Sequence, residues 1–488
     1  MYYDYTIIGG GPSGIYCADK LSQLGHKVCL IETLEALGGC HRVRYVKDDE
    51  GNMIHTEHGP RIYLGCYLDF WNWIKEIDII RDDDFTKYIT SALGNDIINY
   101  SLQFKLYELI VLVIAYIIQN ILRIDFSQEY TVDDLMDNTH FTDEGKKRLN
   151  RICRLIDGGN TDKTNVISLF KGLDVGLAYS IYEPKKPMDT LIWNKFYDKL
   201  ISQNVEIMLN TNVLEITNHK VISNNGIINT ENILLCIPPF AINTIKNAPS
   251  LCGYDPLSFD SLAKNQQYEP YVCATLEFKN KSSLTRWGIA DEHPWGLIDI
   301  DMGRYFEDKN GSLFIVSITH PEKIDPKTKK TANEMEKNEF LDRIVELVKE
   351  RFNIIDDPIL KSFSPNVQKI NGGWIETDRA FLHSPPGWLK PNFDISKKNK
   401  VFTTGHHLGN SYHDYNSMES AIQNASTLLS NIEPNYNYKI SKPWSLSSII
   451  HLVLSLVLLI IVFYYIYINR KISLKKMYIK LYKIWKKK

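Results

Sequence analysis

The sequence predicts an α/β protein with one C-terminal transmembrane helix. Three observations lead to this prediction: a glycine-rich loop between two short apolar runs at the N-terminus, further strand patterns that recur far along the chain, and a long uncharged stretch near the C-terminus. The 488 residues can bury one large core or two joined cores. A hydrophobic content of 44% and a charged content of 23% are ordinary for a folded protein.

The first predicted elements surround the glycine-rich loop. Residues 5–8 are typical of a buried strand, and residues 9–14 (GGGPSG) satisfy the pattern GxGxxG. A helical pattern continues to about Leu24, and a second strand over 27–31 ends at Glu32. This order of strand, loop, helix, strand and acid predicts a Rossmann-like dinucleotide site rather than a glycine turn that binds nothing.

Each residue of this pattern has a physical role in the predicted site. Gly9 permits the tight turn, Gly11 lets the backbone approach a pyrophosphate, and Gly14 lets helix and strand pack closely. The helix that starts beside Ser13 directs its free N–H groups at the phosphates. Glu32 can accept hydrogen bonds from ribose hydroxyls and would repel a 2′-phosphate, which favours FAD or NAD over NADP.

Two following segments favour FAD. Residues 37–42 (LGGCHR) resemble the second glycine pair of the flavin-containing amine oxidase superfamily, which includes protoporphyrinogen oxidases and carotenoid-type desaturases. Residues 57–61 (EHGPR) resemble the segment that passes close to the isoalloxazine in that superfamily. The resemblance implies that the cofactor is contacted by Gly39, Arg42, Gly59, Pro60 and Arg61.

Three later segments resemble the same superfamily and follow its order. Residues 205–216 resemble a strand pair whose backbone meets the adenine, and Val213 is the contact implied there. Residues 232–239 resemble a strand that ends in a proline turn. Residues 401–405, followed by MESA from Met418, resemble the closing motif, in which Gly405 lies near the phosphates. A helix beginning near Met418 would direct its N-terminus at the flavin and stabilise negative charge there.

The resemblance implies a Rossmann-like FAD-binding domain with an inserted mixed α+β substrate domain. The FAD-binding domain is expected to comprise 1–90, 188–260 and 395–435, and the substrate domain 91–187 and 261–394. Helical periodicity predicts a helix over Asn338–Phe352 within the second domain.

The sequence departs from the superfamily at several positions. The strand 271–276 carries no lysine, and Ser417 stands where many amine oxidases place an aromatic residue. These two departures place simple amine oxidation in question. Separately, Cys40 replaces a frequent arginine, with Arg42 two residues on. No cysteine falls between 370 and 389, where some relatives tether their flavin, so we expect FAD to be bound non-covalently.

Few side chains are needed for catalysis when a flavin performs the chemistry. Arg61 is a candidate for facing the flavin or an acidic substrate group, or else for a structural ion pair. His406, or His407 beside it, is a candidate for touching the cofactor, or else for satisfying backbone groups. Trp374 is a candidate for walling the substrate cavity, or else for the core.

The resemblance implies an FAD-dependent oxidoreductase that takes a hydride from a C–N or C–C bond of a small substrate and passes electrons to oxygen. An amine and a hydrophobic ring or polyene are both open as substrates. One alternative is a flavoenzyme without net redox, because residues 59–63 and 415–418 resemble the galactopyranose mutases. The other is an FAD-less binding protein similar to the prenyl-GTPase escort proteins.

The C-terminal region predicts a membrane anchor. Residues 446–468 contain no charged side chain over 23 positions, enough for a helix to span a bilayer. The tail 469–488 contains nine basic and no acidic residues. The strand pattern begins too early for a signal peptide. We therefore expect a single-pass anchor with the body in the cytosol, although the basic tail favours the opposite orientation.

Other partners and sites are not indicated. The remainder of the chain is mildly acidic, so we expect no binding to nucleic acid. Eight scattered cysteines form no CxxC pair, and we expect them to be reduced and no metal site to be present. The oligomeric state is open. A second apolar run, 109–118, is too short to span a membrane and predicts a buried helix, with a membrane-dipping substrate entrance as the alternative.

Overall fold

A computed structural model of the chain shows several packed layers and a long C-terminal helix. The residues that the structure describes are 2–47, 51, 53–57, 59, 61–89, 103–157, 159–176, 178–252, 263–264, 267–268, 271–283, 288–290, 293–307, 309–377, 382–383, 399–413 and 416–485.

The strands within these ranges are β1 (Tyr2–Ile8), β2 (Val28–Ile31), β3 (Arg44–Lys47), β4 (Met53–Thr56), β5 (Tyr63–Leu64), β6 (Phe85–Ile89), β7 (Ile181–Pro184), β8 (Glu206–Met208), β9 (Val213–Thr217), β10 (Lys220–Ser223), β11 (Gly226–Leu235), β12 (Gln267–Tyr268), β13 (Val272–Phe278), β14 (Gly288–Ala290), β15 (Leu297–Asp301), β16 (Ser312–Ile318), β17 (Leu360–Phe363), β18 (Val367–Ile370), β19 (Gly373–Glu376), β20 (Leu382–His383) and β21 (Val401–Thr403). The helices are α1 (Pro12–Gln23), α2 (Leu68–Ile74), α3 (Arg81–Asp84), α4 (Leu106–Tyr116), α5 (Val132–Asn138), α6 (Asp143–Asp157), α7 (Val166–Gly176), α8 (Asn194–Ser202), α9 (Pro239–Ile242), α10 (Ala248–Leu251), α11 (Lys337–Phe352), α12 (Met418–Ile432) and α13 (Leu446–Trp485).

The largest sheet has seven strands and combines three separated stretches of the chain. Its order is β8-β2-β1-β11-β10-β9, and β21 also pairs with β11. Strands β8, β2, β1, β11 and β21 run parallel to one another, whereas β9, β10 and β11 form an antiparallel meander. The carboxyl ends of the parallel strands therefore lie at one edge, which is where ligands bind in open α/β sheets. Strands β8 and β9, expected as a pair, stand at opposite ends of this order.

A five-stranded antiparallel sheet forms the second layer, in the order β14-β15-β16-β13-β17. Side chains alternate across β13, as they must in a strand. Val272 and Ala274 share a core with Phe340 of α11, whereas Cys273 shares another core with Ile54 and Phe306. Helix α11 confirms the helix expected over Asn338–Phe352 and covers one face of the sheet.

The helices α4 to α7 surround a smaller core, and α4 is only partly buried. Its residues Leu109, Leu112 and Ala115 pack into that core with Phe170, whereas its opposite face is exposed. The apolar run expected to be a buried helix thus has two apolar faces. A short π-helical segment, Ile117–Ile121, follows α4 directly.

The C-terminal helix α13 is continuous across the two expected segments, the apolar span and the basic tail. Within the described part of the chain, one stretch, Leu446–Ile479, is long and apolar enough to cross a membrane. Its apolar side chains are largely exposed, for example Leu458 and Ile460.

Candidate cofactor site

The glycine-rich loop connects β1 to α1 at the carboxyl edge of the seven-stranded sheet. Gly9 has φ +108°, and its N–H donates to the carbonyl of Ile31 at 2.8 Å. A Cβ added at Gly14 would lie 1.8 Å from the Gly9 carbonyl oxygen. No side chain fits at Gly14, so helix α1 can pack closely against the end of β1.

The second glycine pair packs against the first. A Cβ added at Gly39, which has φ +56°, would lie 2.9 Å from the Cα of Gly11, and the Gly38 N–H donates to the Gly10 carbonyl at 2.8 Å. A Cβ at Gly11, by contrast, would approach no described atom closer than 3.8 Å. Protein packing alone therefore does not require glycine at position 11, which is consistent with a ligand passing close to its backbone.

Glu32 lies at the end of β2 and supports the same loop. Its Oε2 accepts the Gly10 N–H at 2.6 Å and its Oε1 accepts the Leu34 N–H at 3.0 Å. Burial raises the pKa of Glu32 above its ordinary value. Two carboxylate oxygens offer about four acceptor positions, so positions remain for hydroxyl groups of a ligand. The Thr211 N–H donates to the Glu32 carbonyl at 3.0 Å, which places the start of β9 at Val213 on this side.

Strand β21 brings a distant segment to the same edge. The N–H of Thr404 donates to the carbonyl of Leu235 at 3.0 Å, which extends the pairing of β21 with β11. The Thr404 hydroxyl is fully buried and has no hydrogen-bond partner among the described residues. A Cβ at the adjacent Gly405 would lie 2.7 Å from the buried imidazole of His407.

Helix α12 begins at Met418, as expected. Ser417 is its N-cap, and the Ser417 hydroxyl accepts the Ser420 N–H at 3.0 Å. The position that departs from the amine oxidase pattern therefore has a structural role as a helix cap. The Ser13 hydroxyl donates to the Ala421 carbonyl at 2.8 Å, which ties the first turns of α1 and α12 together.

Arg61 is held in a buried ion pair. It contacts the carboxylate of Glu57 and donates to the carbonyl of Cys40. His55 Nε2 lies 3.2 Å from Glu57 Oε1. Burial alone would raise the pKa of Glu57, but the Arg61 charge and the His55 contact hold it below its ordinary value. Arg42 donates from Nη1 to the Gly39 carbonyl at 3.2 Å, so both expected arginines lie beside the second glycine pair.

His41 lies in the same region as Arg61 and His406. Burial, followed by the charges of Arg61 and His406, lowers the pKa of His41 well below its usual value. Its Nδ1 is buried without a hydrogen-bond partner in the described structure. His41 is therefore a neutral hydrogen-bonding group at the site. Sequence reasoning did not single it out, although it belongs to the LGGCHR motif.

Trp374 lies in a packed core, which is the second of its two sequence-based interpretations. It packs against Phe340 and Phe363 in the core between the five-stranded sheet and α11. Its indole N–H donates to the Met335 carbonyl at 3.1 Å. The ring is large and its polar atom is satisfied, so Trp374 belongs to the packing between the five-stranded sheet and α11.

Glu183 is a second group that the sequence did not indicate. It is fully buried in β7, and neither carboxyl oxygen has a hydrogen-bond partner within the described ranges. Burial, and then the charge of Glu57, raises the pKa of Glu183 well above its ordinary value, so the group is neutral. A small cleft beside it is lined by Gly59, Arg61 and Phe306. Pro60 lies outside the described residues.

Among the described residues, no group of three or more His, Cys, Asp or Glu side chains is arranged to hold a metal ion.

Comparisons of the sequence with known proteins give matches to part of the chain. Residues 7–77 match the NAD(P)-binding Rossmann-like domain. Over 76 residues the chain is 36% identical to 15-cis-phytoene desaturase of Capsicum annuum, a match that covers 16% of this chain and 12% of that protein. Over 72 residues it is 33% identical to zeta-carotene desaturase of a Synechocystis strain, covering 15% and 14%. The chain thus spans about an eighth of the length of these relatives.

Solved structures match nearly the whole chain. Putrescine oxidase bound to putrescine aligns with a TM-score of 0.62 at 13% identity, covering 89% of this chain and 100% of the other. Cyclohexylamine oxidase from Brevibacterium oxydans aligns with a TM-score of 0.61 at 14% identity, covering 88% and 99%. The chain therefore has the fold of these amine oxidases, built on an N-terminal NAD(P)-binding Rossmann-like domain.

Proposed function

We propose that this chain is an FAD-dependent oxidoreductase that binds its cofactor non-covalently. One observation carries the proposal. The glycine loop before α1 and the acid at Glu32, which belong to one N-terminal motif, meet the first turn of α12 from the far end of the chain at one edge of the sheet.

The residues at this edge fit FAD. The N-terminus of α1, with Gly11 and Gly39 beside it, suits a pyrophosphate, and the free acceptor positions of Glu32 suit ribose hydroxyls. The buried Thr404 hydroxyl and the Nδ1 atom of His41 have no described hydrogen-bond partner, so a polar ligand would satisfy them. These features favour FAD binding over the alternative of an FAD-less escort-like protein.

FAD, when bound, would accept a hydride from a C–N or C–C bond of the substrate. The chain's own residues would hold and orient both molecules. The N–H groups of Met418 and Glu419 in the first turn of α12 would stabilise negative charge on the cofactor. Arg61, paired with Glu57, would keep a fixed positive charge beside it. We propose His41 and His406 as hydrogen-bonding groups at the same place, and oxygen as the electron acceptor.

We propose a small substrate that includes hydrophobic character, such as an alkyl or cyclic amine or an unsaturated hydrocarbon. Apolar side chains, Met188, Met302 and Phe306, line the cleft beside Arg61. The names of the similar proteins cover both chemistries, since they include oxidases of amines and desaturases of carotenes.

We propose that α13 anchors the body to a membrane by a single pass, with the body in the cytosol and the basic end of the helix as a lipid-binding or targeting element. The exposed apolar surface along Leu446–Ile479 supports the anchor, because such a surface is unfavourable in water. The eight cysteines form no disulfide, which supports a reducing compartment for the body.

The test is an anaerobic titration of the full chain in detergent with two substrate panels, alkyl and cyclic amines in one and polyenes in the other. Bleaching of the flavin absorbance near about 450 nm by either panel would support the proposed oxidoreductase activity. The panel that causes the bleaching would identify the substrate class. A flavin that no panel reduces, in a protein active on sugar nucleotides only after prior reduction, would replace this proposal with the mutase alternative.

A further inference from the structure

Helix α4 and the π-helical segment after it carry an apolar stripe on their outer face. Five large apolar side chains form the stripe, each between 40% and 75% exposed: Leu106, Ile110, Val113, Ile114 and Ile117. Their spacing of three and four residues puts them on one side of the helix. The opposite side of the helix is already buried in the helical core. The stripe is therefore a second apolar face, separate from the face by which the helix packs against the body.

The exposed apolar surface continues beyond the stripe to Leu122 and Ile124. Contiguous apolar patches of this kind are uncommon on soluble proteins and mark interaction surfaces. The start of α13 lies beside this surface and indicates which partner it contacts.

The start of α13 is fixed next to the stripe through Asp174. The Tyr116 hydroxyl, at the end of α4, donates to Asp174 Oδ1 at 2.6 Å. The N–H and hydroxyl of Ser447, in the first turn of α13, donate to the same carboxylate at 2.7 and 2.6 Å. One buried carboxylate therefore joins the base of the proposed anchor to the end of the striped helix, so the two apolar surfaces emerge from the body side by side.

Polar and basic side chains surround this junction. A cavity of about 370 Å³ there is lined by Arg123, Lys171 and Lys442, together with serines at the start of α13. Asp125 and Asp174 also face it, so the basic residues are in slight excess. Basic side chains beside an apolar face complement the headgroup layer of a membrane containing anionic lipids.

We propose that residues 106–124 (the striped segment) lie in the interface of the bilayer that α13 crosses, with the stripe in contact with the acyl chains. This inference rests on the proposed anchor. It gives the body a second contact with lipid and fixes its orientation on the membrane surface, as interfacial helices do.

The test uses the full chain in vesicles containing anionic lipid, with an environment-sensitive fluorophore attached to a single introduced cysteine. Ile114→Cys places it on the stripe, and Ile110→Cys repeats the measurement one turn away. Ile355→Cys is the control, because Ile355 is another apolar side chain, 90% exposed, in the loop after α11. Leu456→Cys reports on the anchor itself. Background labelling of the native cysteines is measured on the unsubstituted protein.

A quencher carried on the lipid acyl chains separates the outcomes. We expect the label at 114 to lose about half of its emission or more, since interfacial helices insert roughly 5–10 Å, while the label at 355 is unaffected. Quenching at 456 with none at 114 or 110 would overturn this inference and leave the anchor standing. Absence of quenching at 456 would overturn the anchor and this inference with it. A blue-shifted but unquenched label at 114 would mean that protein covers the stripe, which also overturns the inference.

Discussion

Gly14 is a position of the glycine-rich loop at which the packing leaves no room for a side chain. A Cβ there would lie 1.8 Å from the Gly9 carbonyl oxygen, so Gly14→Ala must displace α1 from β1. We expect the variant to lose bound flavin and about 1–3 kcal/mol of unfolding free energy. Gly176→Ala is the matched control, because a Cβ at Gly176 meets nothing within 4 Å. Flavin content and thermal unfolding of both variants check this, and a Gly14→Ala protein with full flavin content would contradict it.

Glu32 is expected to act on affinity more than on folding. In Glu32→Ala the ligand loses its charged acceptors, and hydrogen bonds to a charged group contribute about 1.5–3 kcal/mol. We therefore expect the dissociation constant for FAD to rise about 10- to 150-fold. Glu35→Ala, at an exposed position three residues along, serves as the control. Fluorescence titration of the apoprotein with FAD measures both, and equal affinities would argue against ribose recognition by Glu32.

Among individual residues, the sequence predicted those whose role depends only on their neighbours in the chain. The glycines and Glu32 fall in a contiguous motif, so spacing alone located them. Glu183 and the core position of Trp374 depend on which face of a strand meets which layer, and a strand's sequence does not say which of its two faces is turned to the site. The role of Ser417 could have been predicted but was not. The pair of Ser417 and Ser420 at the start of a helical pattern is a recognisable capping signal.

Among the elements, the junction of α12 with α2 has a pH dependence that can be tested. Glu419 accepts the N–H groups of Asp69 and Phe70, at the start of α2, at 2.9 and 2.8 Å. Burial, followed by the charge of Asp69, raises the pKa of Glu419 to about 8. The folded protein therefore retains a proton that the unfolded chain releases between about pH 4.5 and 8.

Because the pKa is raised in the folded state, stability is expected to fall as pH increases through that window. The slope is at most about 1.4 kcal/mol per pH unit for one proton. Glu419→Gln should be less stable at low pH, since Asp69 and Phe70 donate to different oxygens of Glu419 and the amide replaces one of these oxygens by an NH2 donor. It should also show a flatter dependence on pH. Unfolding temperatures measured from pH 5 to 9 test this, with exposed Glu129→Gln as the control. The same slope in wild type and Glu419→Gln would contradict the assignment.

Element existence was predictable where periodicity was strong, as for α11 and the first turn of α12. The role of α4 was not, because a ten-residue apolar run has the same composition whether it is buried on both sides or exposed on one. The pairing of β8 with β9 was also expected wrongly, since sequence neighbours need not be neighbours in a sheet that returns through a distant strand.

For the whole molecule, the anchor is expected to decide where the protein is found. Truncation after Pro443 removes α13 but keeps the Ser441 N–H on the Asp69 carboxylate, at 3.0 Å. We expect this shortened chain to leave the membrane fraction largely or entirely and the full chain to stay with it after a high-salt wash. Flotation on a density gradient with and without carbonate at high pH measures this. A full chain that salt alone releases would contradict a transmembrane anchor.

The whole molecule also explains why the fold could be predicted from short motifs. The five parallel strands come from residues 2–31, 206–235 and 401–403, and each motif marks the carboxyl end of one of them. The motifs must therefore meet once the sheet forms. The five-stranded sheet carries no such markers, so its order and its contacts could not be predicted from the sequence.

The visible absorbance spectrum of the purified full chain, recorded before and after denaturation and filtration, tests the central claim most directly. We expect bands near about 375 and 450 nm from the folded protein, and the same chromophore in the filtrate once the chain is unfolded. Chromophore retained with the unfolded chain would contradict non-covalent binding. A folded, colourless chain that takes up no added FAD would contradict the claim that this edge of the sheet is a flavin site.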